Sequence, residues 1–277
     1  MFGFGRKKAL RIGDFINPEQ AVLRIASTDV ITCGEHERVD DTIRIMLRGI
    51  RTIPVIDRKG FFSGYITTRD VLDFLGGGVK HRFFRYGRLN ASVRRAMNKG
   101  VCPLSRSHTI SAALEEFKKY GQESYPIIHR RKILGLVSDY DFITRINRKT
   151  GIRVGDIRVR KPMVVTDNHS IVDVAKMMCM GPYQRLPVVK NGVLIGIVTP
   201  HDIISYLSRH GRLDALETEQ LSITRAMNSE VVAISEEADI YDAVMLMKNR
   251  ETGGLPVVRD LELLGIITKR DIIDAFA

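Results

Sequence analysis

Apolar residues recur at i, i+4 and i+7 in four places along the chain: Val39, Ile43 and Met46; Ile110, Leu114 and Phe117; Ile171, Ala175 and Met178; Ile240, Val244 and Met247. That spacing puts each trio on one face of an amphipathic helix. After each stripe comes a short apolar step containing a proline: Ile53-Pro54-Val55-Ile56, Tyr125-Pro126-Ile127-Ile128, Leu186-Pro187-Val188-Val189 and Leu255-Pro256-Val257-Val258. These steps are short and rich in β-branched residues, so they predict buried strands. Each proline is expected at its strand's first residue, where no ladder hydrogen bond is lost. A second apolar run then ends in Gly, two apolar residues and Thr/Ser-x-x-Asp, at Gly64–Asp70, Gly135–Asp141, Gly196–Asp202 and Gly265–Asp271. Beyond each Asp the apolar pattern resumes, as in Ile272, Ile273 and Phe276, and predicts another helix. One unit reads as strand, helix, strand, strand, helix, and the chain carries four copies.

The interval from proline to the motif Asp is 16 residues in the first copy and 15 in the other three. Arg95-Ala96-Met97-Asn98 recurs as Arg225-Ala226-Met227-Asn228, and Arg11-Ile12-Gly13-Asp14 is echoed by Arg153-Val154-Gly155-Asp156. Odd copies thus resemble odd and even resemble even, the trace of a two-repeat module duplicated whole. The repeats are expected at 8–78, 79–148, 149–210 and 211–277. The module boundary falls near Arg148-Lys149-Thr150-Gly151, with linkers around Gly76-Gly77-Gly78 and Gly211. Units this small cannot bury both faces alone, so repeats should pair.

The apolar fraction of 44% and charged fraction of 27% over 277 residues are those of a soluble globular chain. No apolar run approaches the roughly 20 residues of a membrane span. Met1-Phe2-Gly3-Phe4-Gly5 ahead of Arg6, Lys7 and Lys8 reverses the order of a secretory signal, so a cytoplasmic protein without membrane contact is expected. Cys33, Cys102 and Cys179 are isolated, with no CxxC and no His at zinc spacing, so neither a metal nor a disulfide framework is expected. A net charge of +11 directs attention to anionic partners.

The fourfold apolar-Pro step coupled to Gly-apolar-apolar-Thr/Ser-x-x-Asp resembles the cystathionine-β-synthase (CBS) domain family. The resemblance spans about residues 8–277. The four-repeat layout and the run Asp73-Phe74-Leu75-Gly76-Gly77-Gly78 are similar to archaeal stand-alone CBS proteins related to the gamma subunit of AMP-activated protein kinase. It implies an α+β fold of four tandem repeats in two CBS-pair (Bateman) modules, arranged as a pseudo-symmetric disc with clefts facing its centre. CBS pairs typically bind adenosine compounds, which implies AMP, ADP or ATP first, with S-adenosylmethionine or NAD as alternatives.

A carboxylate can accept a hydrogen bond from each of two vicinal ribose hydroxyls, which suits Asp70, Asp141, Asp202 and Asp271. Three residues upstream, the hydroxyls of Thr67, Ser138, Thr199 and Thr268 stand where helices begin, beside unpaired N–H groups that favour a phosphate. The same four motifs are relatives of a capping box, which needs no ligand, and both roles can coexist. Arg69, His201, Lys269 and Arg270 would add positive charge near the phosphates, whereas Asp139 beside Ser138 would repel a triphosphate. The family pattern places an adenine slot near Ile31-Thr32, Val101-Cys102, Val165-Thr166 and Ala233-Ile234. It also brings basic residues just ahead of the apolar-Pro step to the phosphates, here Arg51 and Arg185.

From Phe74 to Leu114 the chain has no acidic residue, while Phe83, Phe84 and Tyr86 interleave with Lys80, Arg82, Arg85 and Arg88. Arg94, Arg95, Lys99 and Arg106 follow, and a second basic run extends from Arg145 to Lys161. Basic stripes with aromatics are the footprint of nucleic-acid binders, which makes nucleic acid the rival partner, although no helix-turn-helix, zinc-finger or RNP pattern accompanies them. There is no nucleophile elbow, P-loop or HExxH motif, so no catalysis is expected. The reading is an adenine-nucleotide sensor, monomeric or homodimeric, that signals to a protein partner.

Overall fold

The computed structural model describes residues 9–77, 89–100, 102–211, 220–259 and 262–277. The first repeat comprises β1 (Cys33–Gly34), α1 (Val39–Met46), β2 (Thr52–Ile56), β3 (Phe62–Thr67) and α2 (Thr68–Leu72). The second comprises β4 (Leu104–Ser105), α3 (Ile110–Tyr120), β5 (Ser124–His129), β6 (Lys132–Ser138) and α4 (Asp139–Ile143). The third opens with α5 (Val154–Ile157) and β7 (Val159–Arg160), followed by β8 (Val165–Thr166), α6 (Ile171–Met180), β9 (Leu186–Lys190), β10 (Val193–Val198) and α7 (Pro200–Arg209). The fourth has β11 (Ile234–Ser235), α8 (Ile240–Asn249), β12 (Gly254–Arg259), β13 (Glu262–Thr268) and α9 (Lys269–Ala275). Each long apolar stripe lies on the predicted helix, and every stripe residue is at most 2% exposed.

In each repeat the two-residue strand pairs in parallel with the residue after the proline: Cys33 with Val55, Leu104 with Ile127, Val165 with Val188 and Ile234 with Val257. The prolines therefore sit inside their strands, not at the first residue as expected. Pro54 lies opposite Tyr65, and the parallel strand reaches only Val55 and Ile56. The edge beside the proline is open, so its missing N–H costs no ladder bond.

The apolar cores join odd repeat to odd and even to even. Ile43, Val71 and Leu72 share one cluster with Ile203, Ile204 and Leu207; Leu114, Phe117 and Phe142 share the other with Val244, Ile272 and Ile273. Helix α2 packs on α7, and α4 on α9. At roughly 1.5–3 kcal/mol per fully buried large aliphatic or aromatic side chain, these clusters are the main force holding the two modules together.

Within a module the repeats meet through strand edges. Tyr65 bridges to Asn98 and Leu136 to Ser27 in the first module, while Ile197 bridges to Asn228 and Ile266 to Val159 in the second. The motif glycines make room for these crossings. A Cβ on Gly64 would lie 2.6 Å from Met97 Cε, and one on Gly135 would lie 2.9 Å from the Ser27 carbonyl. On Gly196 it would collide with Met227 Sδ. The recurrent Ala-Met-Asn segments are thus the backbone partners of β3 and β10.

The module boundary is anchored. Thr150 donates its N–H and its hydroxyl to Asp239 Oδ1, both at 3.0 Å, and Gly151 N donates to Asp239 Oδ2 at 2.6 Å. Arg148 Nη2 donates to the Asp14 carbonyl at 2.7 Å. Gly76, at φ +105, lies in the π turn Asp73–Gly77 that continues α2. Gly78, Lys80, Arg82, Phe83, Phe84, Arg85, Tyr86, Arg88, Val101 and the N-terminal Arg6, Lys7 and Lys8 lie outside the described residues. The second basic run is largely engaged internally: Arg145 with the Asp141 carbonyl, Lys149 with Asp242, Arg153 with Asp156 and Glu237, and Arg158 with Glu236. Among the described residues no helix is long and apolar enough to cross a membrane.

Candidate functional site

Each Thr/Ser-x-x-Asp forms a reciprocal capping box at a helix N-terminus. Thr67 donates to Asp70 Oδ2 from its N–H at 2.9 Å and its hydroxyl at 2.6 Å. The corresponding distances are 2.7 and 2.8 Å for Ser138 and Asp141, 2.8 and 2.7 Å for Thr199 and Asp202, and 2.7 and 2.6 Å for Thr268 and Asp271. The hydroxyls of Thr67, Thr199 and Thr268 accept the Asp N–H in return. In the phosphate role expected of them, Thr67, Ser138, Thr199 and Thr268 would have to share hydroxyls already engaged in the caps. Their protons point to the carboxylates, and a phosphate oxygen, itself an acceptor, could take one only by opening the cap. Capping occupies one carboxylate oxygen and leaves Oδ1 of Asp141, Asp202 and Asp271 outside it. Burial raises the pKa of Asp141 and Asp271, and the hydrogen bonds from Ser138 and Thr268 partly offset it.

The residues between Thr/Ser and Asp join the modules. Arg69 Nη2 donates to the Cys179 and Gly181 carbonyls, at 2.9 and 2.6 Å, where α6 ends. Arg270 does the same for α3, donating to the Phe117 carbonyl and, at 2.6 Å, to that of Lys118, while it pairs with Asp274. Lys269 Nζ lies 2.6 Å from Asp139 Oδ1, a pair shielded from solvent at 17% and 8% side-chain exposure. Arg69, Lys269 and Arg270 are therefore engaged by carbonyls and a carboxylate, and all three also line the 480 Å³ cavity described below. The physical reason is tertiary: α2 faces α7 and α4 faces α9, so these side chains meet the opposite module first. Asp139, expected to repel a triphosphate, is the partner of Lys269. His201 Nε2 is buried with no hydrogen-bond partner among the described residues.

Three cavities open around the junction of the four repeats. One of about 480 Å³ is lined by Arg51, Asp139, Arg185, His201, Thr268, Lys269 and Met163, among others, and so draws on every repeat. A second, of about 590 Å³, holds Ser138 together with Thr199 and Asp202 and is also walled by Arg51, Arg185 and Asn228. A third, of about 270 Å³, is lined by Thr67, Asp70, Tyr65, Asn98, Arg51 and Glu123. Arg51 touches all three and Arg185 the two larger. Neither guanidinium has a hydrogen bond or ion pair among the described residues. Arg185 lies over Gly253 and Gly254, where a Cβ would come within 3.1–3.2 Å of its Nη atoms. Its pKa is pushed down to about 10, first by burial and then by the like charge of Arg51. Two cations converge here without a direct ion pair among the described residues, while the carboxylates of Glu123, Asp202 and Asp139 act on Arg185 from farther off.

The adenine-slot expectation is out of register between repeats. Equivalence is fixed by the parallel pairs, which align Cys33, Leu104, Val165 and Ile234. Val165 and Ile234 are core residues at 0% and 8% exposure, one in each apolar cluster. Thr166 is held by His169 Nδ1, 3.0 Å from its hydroxyl. Ile31 and Cys102 are exposed, and neither they nor Thr32 and Ala233 line the three cavities. The residue in register with Ile31 and Cys102 in the third repeat is Met163, 41% exposed and in the wall of the 480 Å³ cavity.

Sequence reasoning overlooked Asn98, Asn228 and Tyr65, which stand in the cavity walls. The recurrence of Arg-Ala-Met-Asn was the available signal for the two asparagines. Tyr65 occupies the place of Leu136, Ile197 and Ile266, and its pKa is raised to about 12 by burial and then by Asp70 and Glu123.

The sequence model of the CBS domain matches residues 22–77, 93–148, 154–209 and 222–277. The chain is 28% identical over 245 residues to the uncharacterized protein MJ1225 of Methanocaldococcus jannaschii, covering 82% of this chain and 88% of that one. It is 29% identical over 254 residues to an uncharacterized 33.4 kDa protein of the ribosomal RNA operon of Thermofilum pendens, covering 85% and 84%. The crystal structure of MJ1225, a protein proposed as an archaeal homologue of the AMP-activated protein kinase gamma subunit, superposes with a TM-score of 0.84. That alignment has 26% identity and covers 93% of this chain and all of that one. An uncharacterized conserved protein from Pyrococcus horikoshii shares the fold at a TM-score of 0.62 and 17% identity, covering 93% of this chain and all of that one.

Proposed function

The chain belongs to the CBS domain family, and on that premise we propose that it is a regulatory protein that binds adenine nucleotides in its inter-repeat clefts and signals their presence to a protein partner. The observation that carries the reading is the Arg51–Arg185 junction. Two guanidiniums with no direct ion pair among the described residues stand at the meeting of cavities whose other walls carry Asp70 and Asp202. A nucleotide with its ribose on the outer oxygen of Asp202 and its phosphates toward Arg185 would satisfy both groups, through charge-assisted hydrogen bonds of the stronger class. Regulation follows if two packings of the modules differ in this junction, since a ligand shifts such an equilibrium by its differential affinity for the two states. No step in this reading asks for catalysis.

The test is melting temperature and calorimetry of the full chain with AMP, ADP, ATP, adenosine, NAD and S-adenosylmethionine. The nucleotides are expected to raise the melting temperature by mass action, and adenosine to do less. A response to adenosine equal to that for AMP removes the phosphate from the reading. Silence toward the whole series leaves only the caps.

A further inference from the structure

Position N1 of the helix after the motif is not equivalent around the molecule. Repeats one and three place Thr68 and Pro200 there, both buried and uncharged. Repeats two and four place Asp139 and Lys269, whose charged atoms meet at 2.6 Å across the module interface. Both belong to the walls of the 480 and the 590 Å³ cavities. Lys269 is thus a cation in a ligand-accessible wall whose charge is already answered by a carboxylate of the other module. Glu123, which adds to the negative charge around Asp139, lines the same walls.

We infer that Asp139 is a specificity-determining residue that limits the preference of these cavities for the more highly phosphorylated nucleotides by holding Lys269. The inference rests on the nucleotide reading given above and adds a regulation to it. With Asp139 ionised and bound to Lys269, an incoming phosphate finds a neutral pair in place of a free cation, and Arg51 and Arg185 supply the attraction. Each further phosphate would gain from a free Lys269, so the attraction that Asp139 withholds grows from AMP to ATP. A polyphosphate can recruit Lys269 only by parting it from Asp139. That would leave a desolvated carboxylate at the α4–α9 contact, where burial already raises the Asp139 pKa against the opposing pull of Lys269. Binding of the more highly charged ligand and closure of this contact are then negatively coupled, and reciprocally so.

The experiment is a double-mutant cycle on the full chain with Asp139→Asn, Lys269→Gln and the double variant, titrated with adenosine, AMP and ATP. Asp139→Asn should strengthen ATP binding by roughly five-fold or more, the scale of removing one partly buried unit charge, and should leave adenosine within about two-fold. Lys269→Gln should weaken ATP more than AMP. The double variant, neutral at both positions, should return close to the wild-type ATP-to-AMP ratio, and melting curves confirm that each variant folds. If the wild type binds the nucleotides and Asp139→Asn leaves the ATP-to-AMP ratio unchanged, the inference falls and the nucleotide reading stands. If the wild type binds none of the three, the nucleotide reading itself falls.

Discussion

Replacing Asp202 by alanine removes the acceptor of two hydrogen bonds, from Thr199 N at 2.8 Å and Thr199 Oγ1 at 2.7 Å, together with the acid in the first turn of α7. At about 1 kcal/mol net for each bond and roughly 0.3–1 kcal/mol for the dipole partner, the loss should be about 2–3 kcal/mol. That is larger than a dipole effect alone, because the carboxylate closes the cap as well as facing the helix end. At about 2–4 °C per kcal/mol for a chain of this size, the melting temperature should fall by about 5–10 °C. Asparagine retains an oxygen that can accept both Thr199 donors and forfeits only the charge, so it should lose about 1–4 °C. Nucleotide binding divides the variants differently. Both lack the ionised outer oxygen offered to the ribose, and both should lose about ten-fold or more in affinity, the value of a charge-assisted hydrogen bond. Differential scanning calorimetry gives the first quantity and isothermal titration with AMP the second. Equal melting temperatures for the two variants would refute the cap assigned to the carboxylate oxygen. Undiminished AMP affinity in Asp202→Asn would refute its placement at the ribose.

Arg185→Gln should raise the melting temperature of the ligand-free protein, since burial and Arg51 both disfavour its charge, and should reduce the shift produced by AMP; a thermal-shift series reads both. Gly196→Ala should cost about 1–3 kcal/mol by overpacking against Met227, whereas alanine at Gly192, with nothing within 4 Å but a φ of +81, should cost less; urea unfolding compares them. Asp141 has a folded-state pKa above its ordinary 3.8, so it favours the folded state when protonated and loses that contribution as pH rises through the folded value. Asp141→Asn should therefore gain stability relative to the wild type on going from pH 4 to pH 7 in paired melting curves, and a constant difference would contradict the shift. Glutamate at Arg94, Arg95 and Lys99 should weaken any low-salt oligonucleotide binding and leave AMP binding intact, read by fluorescence anisotropy against salt.

The repeat, its five elements and the core face of each helix were legible because they follow from local rules. Periods of 3.6 and 2 and the proline and glycine punctuation specify the elements, and four copies in register leave little choice about the unit. The caps were legible too, since Thr/Ser and Asp three apart meet within one helical turn whatever surrounds them. The recurrence of Ala-Met-Asn disclosed which repeats are alike, but not that those segments cross Gly64 and Gly196 as strand partners. The fates of Arg69, Lys269 and Arg270 were out of reach. Local sequence places all three at helix N-termini, where a phosphate is a natural guest. Only the packing of α2 on α7 and α4 on α9 brings the ends of α6 and α3, and Asp139, within hydrogen-bond distance. The structural equivalence of the adenine-slot positions was out of reach for a related reason, because the parallel pairs that align Cys33 with Val165 are contacts between segments more than twenty residues apart. Arg51 and Arg185 stood out as basic residues ahead of the strands, yet their convergence depends on repeats one and three sharing a core. Neighbours in sequence determined the elements and their caps. Which charges remain available to a ligand was decided by pairings between repeats, where burial leaves a charge unanswered or supplies its partner.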